Sequence, residues 1–146
     1  MNAYFVSYNG QGSDTPGGGG EQQGNVVTFD LTAQGYENAQ DFTGLAAGDI
    51  SISVDKGDNK NGPKFYTSGN AVRFYGGNSL TVKSSGKNIV KIELSFGSGD
   101  PTNEITTDPG TWNSPNWTGS ASSVKFTVGG TSGHRRIAKL VVTLAE

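Results

Sequence analysis

The chain has 146 residues, with 23 glycines, no cysteine and 16% charged residues, which is the length of about one domain. Without cysteine there is no disulfide framework, thiolate metal site or cysteine nucleophile. Lys and Arg number 11 against 13 Asp and Glu, and the net charge of -2 supplies no basic stripe, so nucleic-acid binding is not expected. No apolar run reaches membrane-spanning length and the N-terminus lacks a secretory signal pattern, so membrane insertion is not expected either.

The polar composition favours strands over helices. The chain uses Gly, Asn, Ser and Thr where helical proteins use Glu, Lys, Arg and Ala, and these residues form turns and line sheets. The composition therefore predicts an all-β protein.

The first 24 residues are interpreted as two pieces that precede the main domain. Residues 1–8 include the strand-like "AYFVSY" and are interpreted as the remnant last strand of a preceding domain; the alternative is an edge strand of the main sheet. Residues 9–24, "NGQGSDTPGGGGEQQG", have the composition of a flexible linker. Residues 25–146 are then predicted to form one domain.

Strand signals follow at short spacing from Asn25 to the end of the chain. Apolar and polar side chains alternate in "NVVTFDLT", "DISISV", "NIVKIELSF", "SVKFTV" and "RIAKLVVTL", and the last strand is expected to bury Leu140, Val142 and Leu144. The stretch "AVRFYGGNSLTVKS" is interpreted as a hairpin that turns at "GGN". Strands with one apolar and one polar face predict an antiparallel β-sandwich or barrel.

Four segments carry a resemblance to a known kind of module: "YENAQDFTGLAAGDISISVDKG", "GPKFYTSGNAVRFYGGNSLTVKS", "IVKIELSF" and "WTGSASSVKFTVGGTSGHRRIAKLVVTL". Together they resemble the small jelly-roll modules of secreted and surface proteins of Bacteroidetes, which are similar to galactose-binding-like and carbohydrate-binding-module sandwiches. The resemblance implies a jelly-roll-like β-sandwich. It also implies a non-catalytic accessory domain, extracellular or at the cell surface, whose neighbouring domains on the same polypeptide carry out the chemistry.

Two tryptophans stand in the loop-like stretch "TWNSPNWTGS", residues 111–120. An aromatic ring can lie flat against the C–H face of a sugar while neighbouring polar side chains bond its hydroxyls. Trp112 has no strand pattern to bury it and is predicted to be an exposed stacking platform. Trp117 directly precedes a strand, where modules of the resembled kind tend to place an aromatic residue. It is therefore expected to fill the sandwich core, with sugar contact as the alternative.

Arg73 and Tyr75 point away from the apolar residues of their predicted strand, so the two side chains share a polar face. A planar guanidinium can bond two adjacent hydroxyls, and Tyr75 could stack on a sugar. The alternative is that Arg73 pairs with Glu93 or Asp55 across strands while Tyr75 only covers the sheet. Tyr66 is a third aromatic candidate of the same kind.

Metal binding and catalysis have weaker support. The stretch "DKGDNKNG", residues 55–62, is rich in oxygen ligands, but Lys60 stands where a calcium ligand should be, so a hairpin turn is favoured. No cofactor is predicted; a structural calcium ion in the loops stays open as an alternative, with carboxylates available at Asp100, Glu104 and Asp108. The single histidine, His134, lies in a predicted turn before two arginines without a nucleophile motif, so the chain is predicted not to be an enzyme.

These patterns predict a non-catalytic module that binds a polysaccharide or other glycan and holds an attached enzyme or surface protein on it. The predicted binding residues are Trp112 as platform, with Arg73, Tyr75, Trp117 and Tyr66 in support. The alternative is a structural or adhesive spacer domain of a cell-surface protein, with no small-molecule ligand. An exposed aromatic ring beside hydrogen-bonding side chains favours the first function, and buried tryptophans favour the second.

Overall fold

The computed structural model describes residues 19–146, and the strand predicted within residues 1–8 lies outside this range. The described residues form fourteen strands and no helix. The strands are β1 (Gly20–Gln23), β2 (Val26–Asp30), β3 (Gln40–Asp41), β4 (Leu45–Ala47), β5 (Ile50–Asp55), β6 (Lys64–Tyr66), β7 (Ala71–Tyr75), β8 (Ser79–Ser84), β9 (Ile89–Phe96), β10 (Ile105–Asp108), β11 (Thr111–Asn113), β12 (Asn116–Ala121), β13 (Ser123–Val128) and β14 (His134–Leu144).

The strands form two antiparallel sheets that pack as a sandwich, which confirms the predicted fold class. The larger sheet has nine strands, with the path β11-β12-β9-β14-β7-β6-β3 and with β2 and β1 added beside β14. The smaller sheet has five strands in the order β10-β13-β8-β5-β4. No helix within residues 19–146 is long and apolar enough to span a membrane.

The core lies between the two sheets and follows the alternation in the sequence. Val27, Phe29 and Leu31 are fully buried, as are the last-strand residues Leu140 and Val142. The β5, β8 and β13 side chains that face them are also buried: Ile50, Ile52, Leu80, Val82, Val124, Phe126 and Val128. Each buried side chain of this size contributes roughly 1.5–3 kcal/mol by removal from water, so this core dominates the stability.

Strand β14 is the centre of the larger sheet. Its first residues pair with β7, and its later residues pair with β9 on one side and β2 on the other. A register shift between Ile137 and Lys139 lets both Ile137 and Leu140 face the core, although they are three positions apart. Because side chains alternate along a strand, His134 and Arg136 lie on the outer face of the sheet.

The predicted hairpin at "AVRFYGGNSLTVKS" is wrong. β7 belongs to the nine-stranded sheet and β8 to the five-stranded one, so residues 76–78 cross between sheets. The crossing is held by the fully buried Asn78, whose Oδ1 accepts from the Tyr75 N–H and whose Nδ2 donates to the carbonyls of Lys56 and Asn61. These bonds satisfy the buried side-chain amide of Asn78 and tie the crossing to the 55–62 loop. The 55–62 turn is likewise a crossing, because β5 and β6 lie in different sheets.

The sandwich begins earlier than the predicted boundary at Asn25. Residues Gly20 to Gln23, which fall inside the predicted 9–24 linker, form β1 and pair with β2. This strand has no apolar residue and its side chains are largely exposed, so it gives no alternating signal in the sequence. The rest of the linker, residues 9–18, lies outside the described residues.

Candidate functional site

Trp117 fills the core, as expected for the residue that precedes a strand. It lies in β12, has no exposed surface and donates from Nε1 to the carbonyl of Pro109 at 2.6 Å. Burial with a satisfied indole N–H is the stable arrangement for this side chain. The alternative of a direct sugar contact at Trp117 is therefore not compatible with this packing.

Trp112 is not the exposed platform that the sequence predicts. It lies in β11 directly opposite Trp117 in β12, and side chains at directly opposite positions share one face of a sheet. The ring is partly buried and meets Phe126 of the facing sheet edge-on, with 5.5 Å between ring centroids. The loop-like composition hides a hairpin at the sheet edge, which turns both tryptophans inward.

The other three predicted binding residues do come together. We call their site the arginine–tyrosine patch and define it as Tyr66, Arg73, Tyr75, His134 and Arg136. Arg73 lies opposite Arg136 and Tyr75 lies opposite His134 where β7 pairs with β14. Tyr66 belongs to the neighbouring β6, and all five side chains are partly buried. The patch therefore covers one area of the outer face of the larger sheet.

Contacts between the rings and the guanidinium fix the geometry of the patch. The Arg73 guanidinium lies 4.0 Å from the centroid of the Tyr66 ring. The Tyr75 hydroxyl donates to the Tyr66 hydroxyl at 3.3 Å, and the Tyr75 ring meets the His134 ring edge-on at 5.6 Å. A cation over an aromatic face is worth about 0.5–1 kcal/mol at such partly exposed sites, so the stack orders Arg73 without locking the patch closed.

Arg136 lies in a slot walled by glycines. A Cβ atom at Gly69 would lie 2.9 Å from the Arg136 Nε, and one at Gly97 would lie 3.1 Å from its Cβ. Larger residues at either position would push the side chain away. At the end of the slot, Arg136 donates from Nη1 to the carbonyl of Asp100 at 2.9 Å.

The patch holds positive charge without a neutralising carboxylate in the described part of the chain. The one ion pair found among residues 19–146 joins Lys64 and Asp41, so Arg73 does not form the alternative pairing with Glu93 or Asp55. The Nε atoms of Arg73 and Arg136 and the Nε2 atom of His134 are buried with no hydrogen-bond partner among these residues. Unsatisfied buried polar atoms are rare in native folds, and here three of them fall in one cluster.

The ionisation of the patch follows from burial and from its two arginines. Burial lowers the pKa of His134, and the charges of Arg136 and Arg73 lower it further, so the imidazole is neutral at neutral pH. Burial and the hydrogen bond with Tyr66 raise the pKa of Tyr75, so its hydroxyl stays protonated. The patch therefore offers two fixed cations and several neutral hydrogen-bonding groups.

A polar cleft opens at the end of the sandwich that follows β7. It has a volume of about 560 Å³ and is lined by the loop residues 57–61, by Gly76 and Gly77, and by Gly130 and Thr131. Asn59 donates to the Gly76 carbonyl there, which ties the 55–62 loop to the residue directly after Tyr75. The cleft is therefore lined in part by the two residues that directly follow Tyr75 of the patch in the sequence.

Residues 19–146 contain no group of three or more His, Asp or Glu side chains that could hold a metal ion. In the 55–62 loop, the Asp55 carboxylate accepts from the Gly57 N–H at 2.7 Å, as in an ordinary turn.

Sequence reasoning missed Arg136, and it placed His134 in a turn although the residue begins β14. The pairing of β7 with β14 could not be deduced from the two segments separately. The two consecutive arginines after His134 were the one feature of the sequence that could have indicated a positively charged site there. Comparison with protein-family models, with curated proteins and with solved structures finds no match to this chain.

Proposed function

We propose that this protein is a non-catalytic module that binds a saccharide on the arginine–tyrosine patch. The observation that supports this most is the convergence of Tyr66 with Arg73 and Tyr75, all three predicted from sequence as binding residues, on one outer sheet face. Tyrosine rings and guanidinium groups are the residue types that stack on sugar rings and bond their hydroxyls.

The form of the patch suits weak, reversible binding. Its side chains are partly buried and ordered by one another, so little side-chain entropy is lost when a ligand binds. The hydrogen bonds to a sugar largely replace bonds to water, which gives modest affinity. Such a module acts by proximity, because it holds its neighbouring domains on a polysaccharide. The resemblance to secreted Bacteroidetes modules supports an extracellular or cell-surface location.

The test is a titration of the protein with a panel of soluble polysaccharides by isothermal calorimetry, with Arg73→Ala and Lys91→Ala alongside. Lys91 is exposed on the outer face of the same sheet, in β9, and its variant carries the same charge change away from the patch. We expect saturable binding by the wild type and Lys91→Ala, and at least a tenfold loss in Arg73→Ala. Absence of binding to every saccharide would overturn the proposal.

The second candidate is a structural or adhesive spacer domain. One observation favours it: both tryptophans pack on the core, Trp117 with no exposed surface and Trp112 partly buried, so neither forms a fully exposed aromatic platform. The same titration separates the two functions, because a spacer binds none of the saccharides and its Arg73→Ala variant changes only in stability.

A further inference from the structure

We infer that the saccharide bound by the arginine–tyrosine patch is acidic, with a carboxylate or sulfate group held between Arg73 and Arg136. This inference rests on the proposed function and adds the chemical class of its ligand. Three observations support it. Arg73 and Arg136 are register partners, each guanidinium is ordered by neighbouring residues, and no carboxylate within residues 19–146 forms an ion pair with either of them.

The two arginines face each other across a strand pair. Arg73 and Arg136 are register partners in β7 and β14, so their Cα atoms are about 4.5–5.5 Å apart and their side chains leave the sheet on the same side. Like charges at directly opposite positions destabilise a sheet. An oxyanion between the two guanidinium groups would attract both of them, so the net electrostatic energy of the three groups would become favourable.

Each arginine is held in place before any ligand arrives. Arg136 lies in its slot against Gly69 and Gly97 and is bonded to the Asp100 carbonyl. Arg73 lies over the Tyr66 ring. A guanidinium whose orientation is fixed in advance can form bidentate bonds to a carboxylate or sulfate at low entropic cost.

The protein supplies no anion of its own at this position. The ion pair of the described residues lies next to Arg73, because Lys64 of β6 is the register partner of Arg73 and Asp41 of β3 is the register partner of Lys64. The Asp41 carboxylate pairs with Lys64 rather than with Arg73. Glu93 of β9 lies opposite Val141, past the register shift of β14. The Nε donors of both arginines have no acceptor within residues 19–146. The chain as a whole has a net charge of -2, so the positive patch is local rather than a consequence of composition.

The closing experiment uses two matched pairs of polysaccharides at physiological salt, where nonspecific attraction is screened. Polygalacturonate is compared with its fully methyl-esterified form, and dextran sulfate is compared with dextran. Affinity is measured by calorimetry for the wild-type protein and for Arg73→Gln, Arg73→Lys and Lys91→Gln. Thermal unfolding of each variant shows that it is folded.

Binding of polygalacturonate or dextran sulfate, at least tenfold tighter than its neutral partner, supports the inference, and the pair that responds identifies carboxylate or sulfate. Arg73→Gln should lose at least tenfold in affinity, Arg73→Lys should lie between it and the wild type, and Lys91→Gln should change less than twofold. Equal affinity for charged and neutral partners overturns the inference and leaves the proposed function standing. No binding to any saccharide, charged or neutral, overturns both. An equal loss in Lys91→Gln and Arg73→Gln overturns the inference, because it shows general electrostatic attraction.

Discussion

Two regions of the same nine-stranded sheet make use of aromatic residues in opposite ways. The tryptophan hairpin, β11 and β12, forms one edge of the sheet and turns Trp112 and Trp117 toward the core. The arginine–tyrosine patch, on β6, β7 and the start of β14, turns its aromatic rings outward. Composition alone suggests the reverse, because the tryptophans stand among loop residues and the tyrosines among strand residues. Strand register, rather than the residues around a ring, therefore decides on which face of the sheet the ring lies.

The two regions also differ in the hydrogen-bond partners of their buried polar side-chain atoms. In the tryptophan hairpin the Trp117 indole donates to the Pro109 carbonyl, and one buried side-chain atom, Asn116 Oδ1, has no partner among the described residues. The patch leaves the side-chain nitrogens of Arg73, Arg136 and His134 without partners among the described residues. Unpartnered buried nitrogens therefore cluster in the patch, whereas the hairpin has a single unpartnered oxygen.

The largest effect that separates the two regions is expected for Trp117→Ala. Removal of this fully buried indole leaves a cavity and takes away its hydrogen bond, so the free energy of unfolding should fall by about 3–5 kcal/mol. Urea denaturation measures this change. A loss below about 1 kcal/mol would contradict the core position of Trp117.

Trp112→Ala should have a smaller effect on stability and none on the affinity for a saccharide. The ring is only partly buried against Phe126, so we expect a loss of about 1–3 kcal/mol in the free energy of unfolding. Denaturation and calorimetric titration on the same samples test both statements. A Trp112→Ala variant that keeps its stability but no longer binds saccharide would contradict this prediction and show that Trp112 is the stacking platform.

Tyr66→Ala should do the reverse of Trp112→Ala: its stability should change little and its affinity for a saccharide should fall. Loss of the stack under Arg73 costs about 0.5–1 kcal/mol of stability, but it frees the guanidinium and should weaken saccharide binding at least fivefold. Tyr36→Phe, which changes a partly buried tyrosine outside the patch, serves as the control and should bind as the wild type does. Unchanged affinity in Tyr66→Ala would exclude Tyr66 from the site.

The smallest expected effect is a pH dependence of stability from His134. Its pKa is lowered in the folded protein by burial and by Arg136 and Arg73, so the unfolded chain takes up the proton first as the pH falls below the usual value of 6.5. The free energy of unfolding should therefore decrease from above pH 6.5 down to the lowered pKa of the folded state. His134→Gln should make this part of the profile flatter. Identical profiles for the two proteins in urea denaturation between about pH 7.5 and pH 5 would contradict the shift.

Much of the sandwich could be predicted from the sequence, because strands with one buried face repeat their apolar residues at every second position. This held for Val27, Phe29 and Leu31 and for Val124, Phe126 and Val128. The polar strand β1 and the tryptophan hairpin lack that repeat and were missed. The sequence predicts a hairpin at the Asn78 crossing because Gly-Gly-Asn favours a turn whether the chain returns to the same sheet or crosses to the other one.

The candidate site was half predictable. Alternation placed Arg73 and Tyr75 on a polar face, but their partners His134 and Arg136 come from a strand some sixty residues later in the chain. The register shift before Lys139 also breaks the alternation of β14, so the outward direction of Arg136 could not be deduced from the apolar pattern of the final strand. Long-range pairing of this kind is set by the packing of the whole sheet.

The most direct test of where a ligand binds is a titration of the ¹⁵N-labelled protein with short polygalacturonate fragments, followed by two-dimensional NMR. We expect the amide shifts to change in β6, β7 and the first residues of β14, around Tyr66, Arg73, Tyr75, His134 and Arg136. The amides of Trp112 and Trp117 should stay in place. Shifts centred on residues 111–121, or no shifts with any saccharide, would contradict a binding site on the arginine–tyrosine patch.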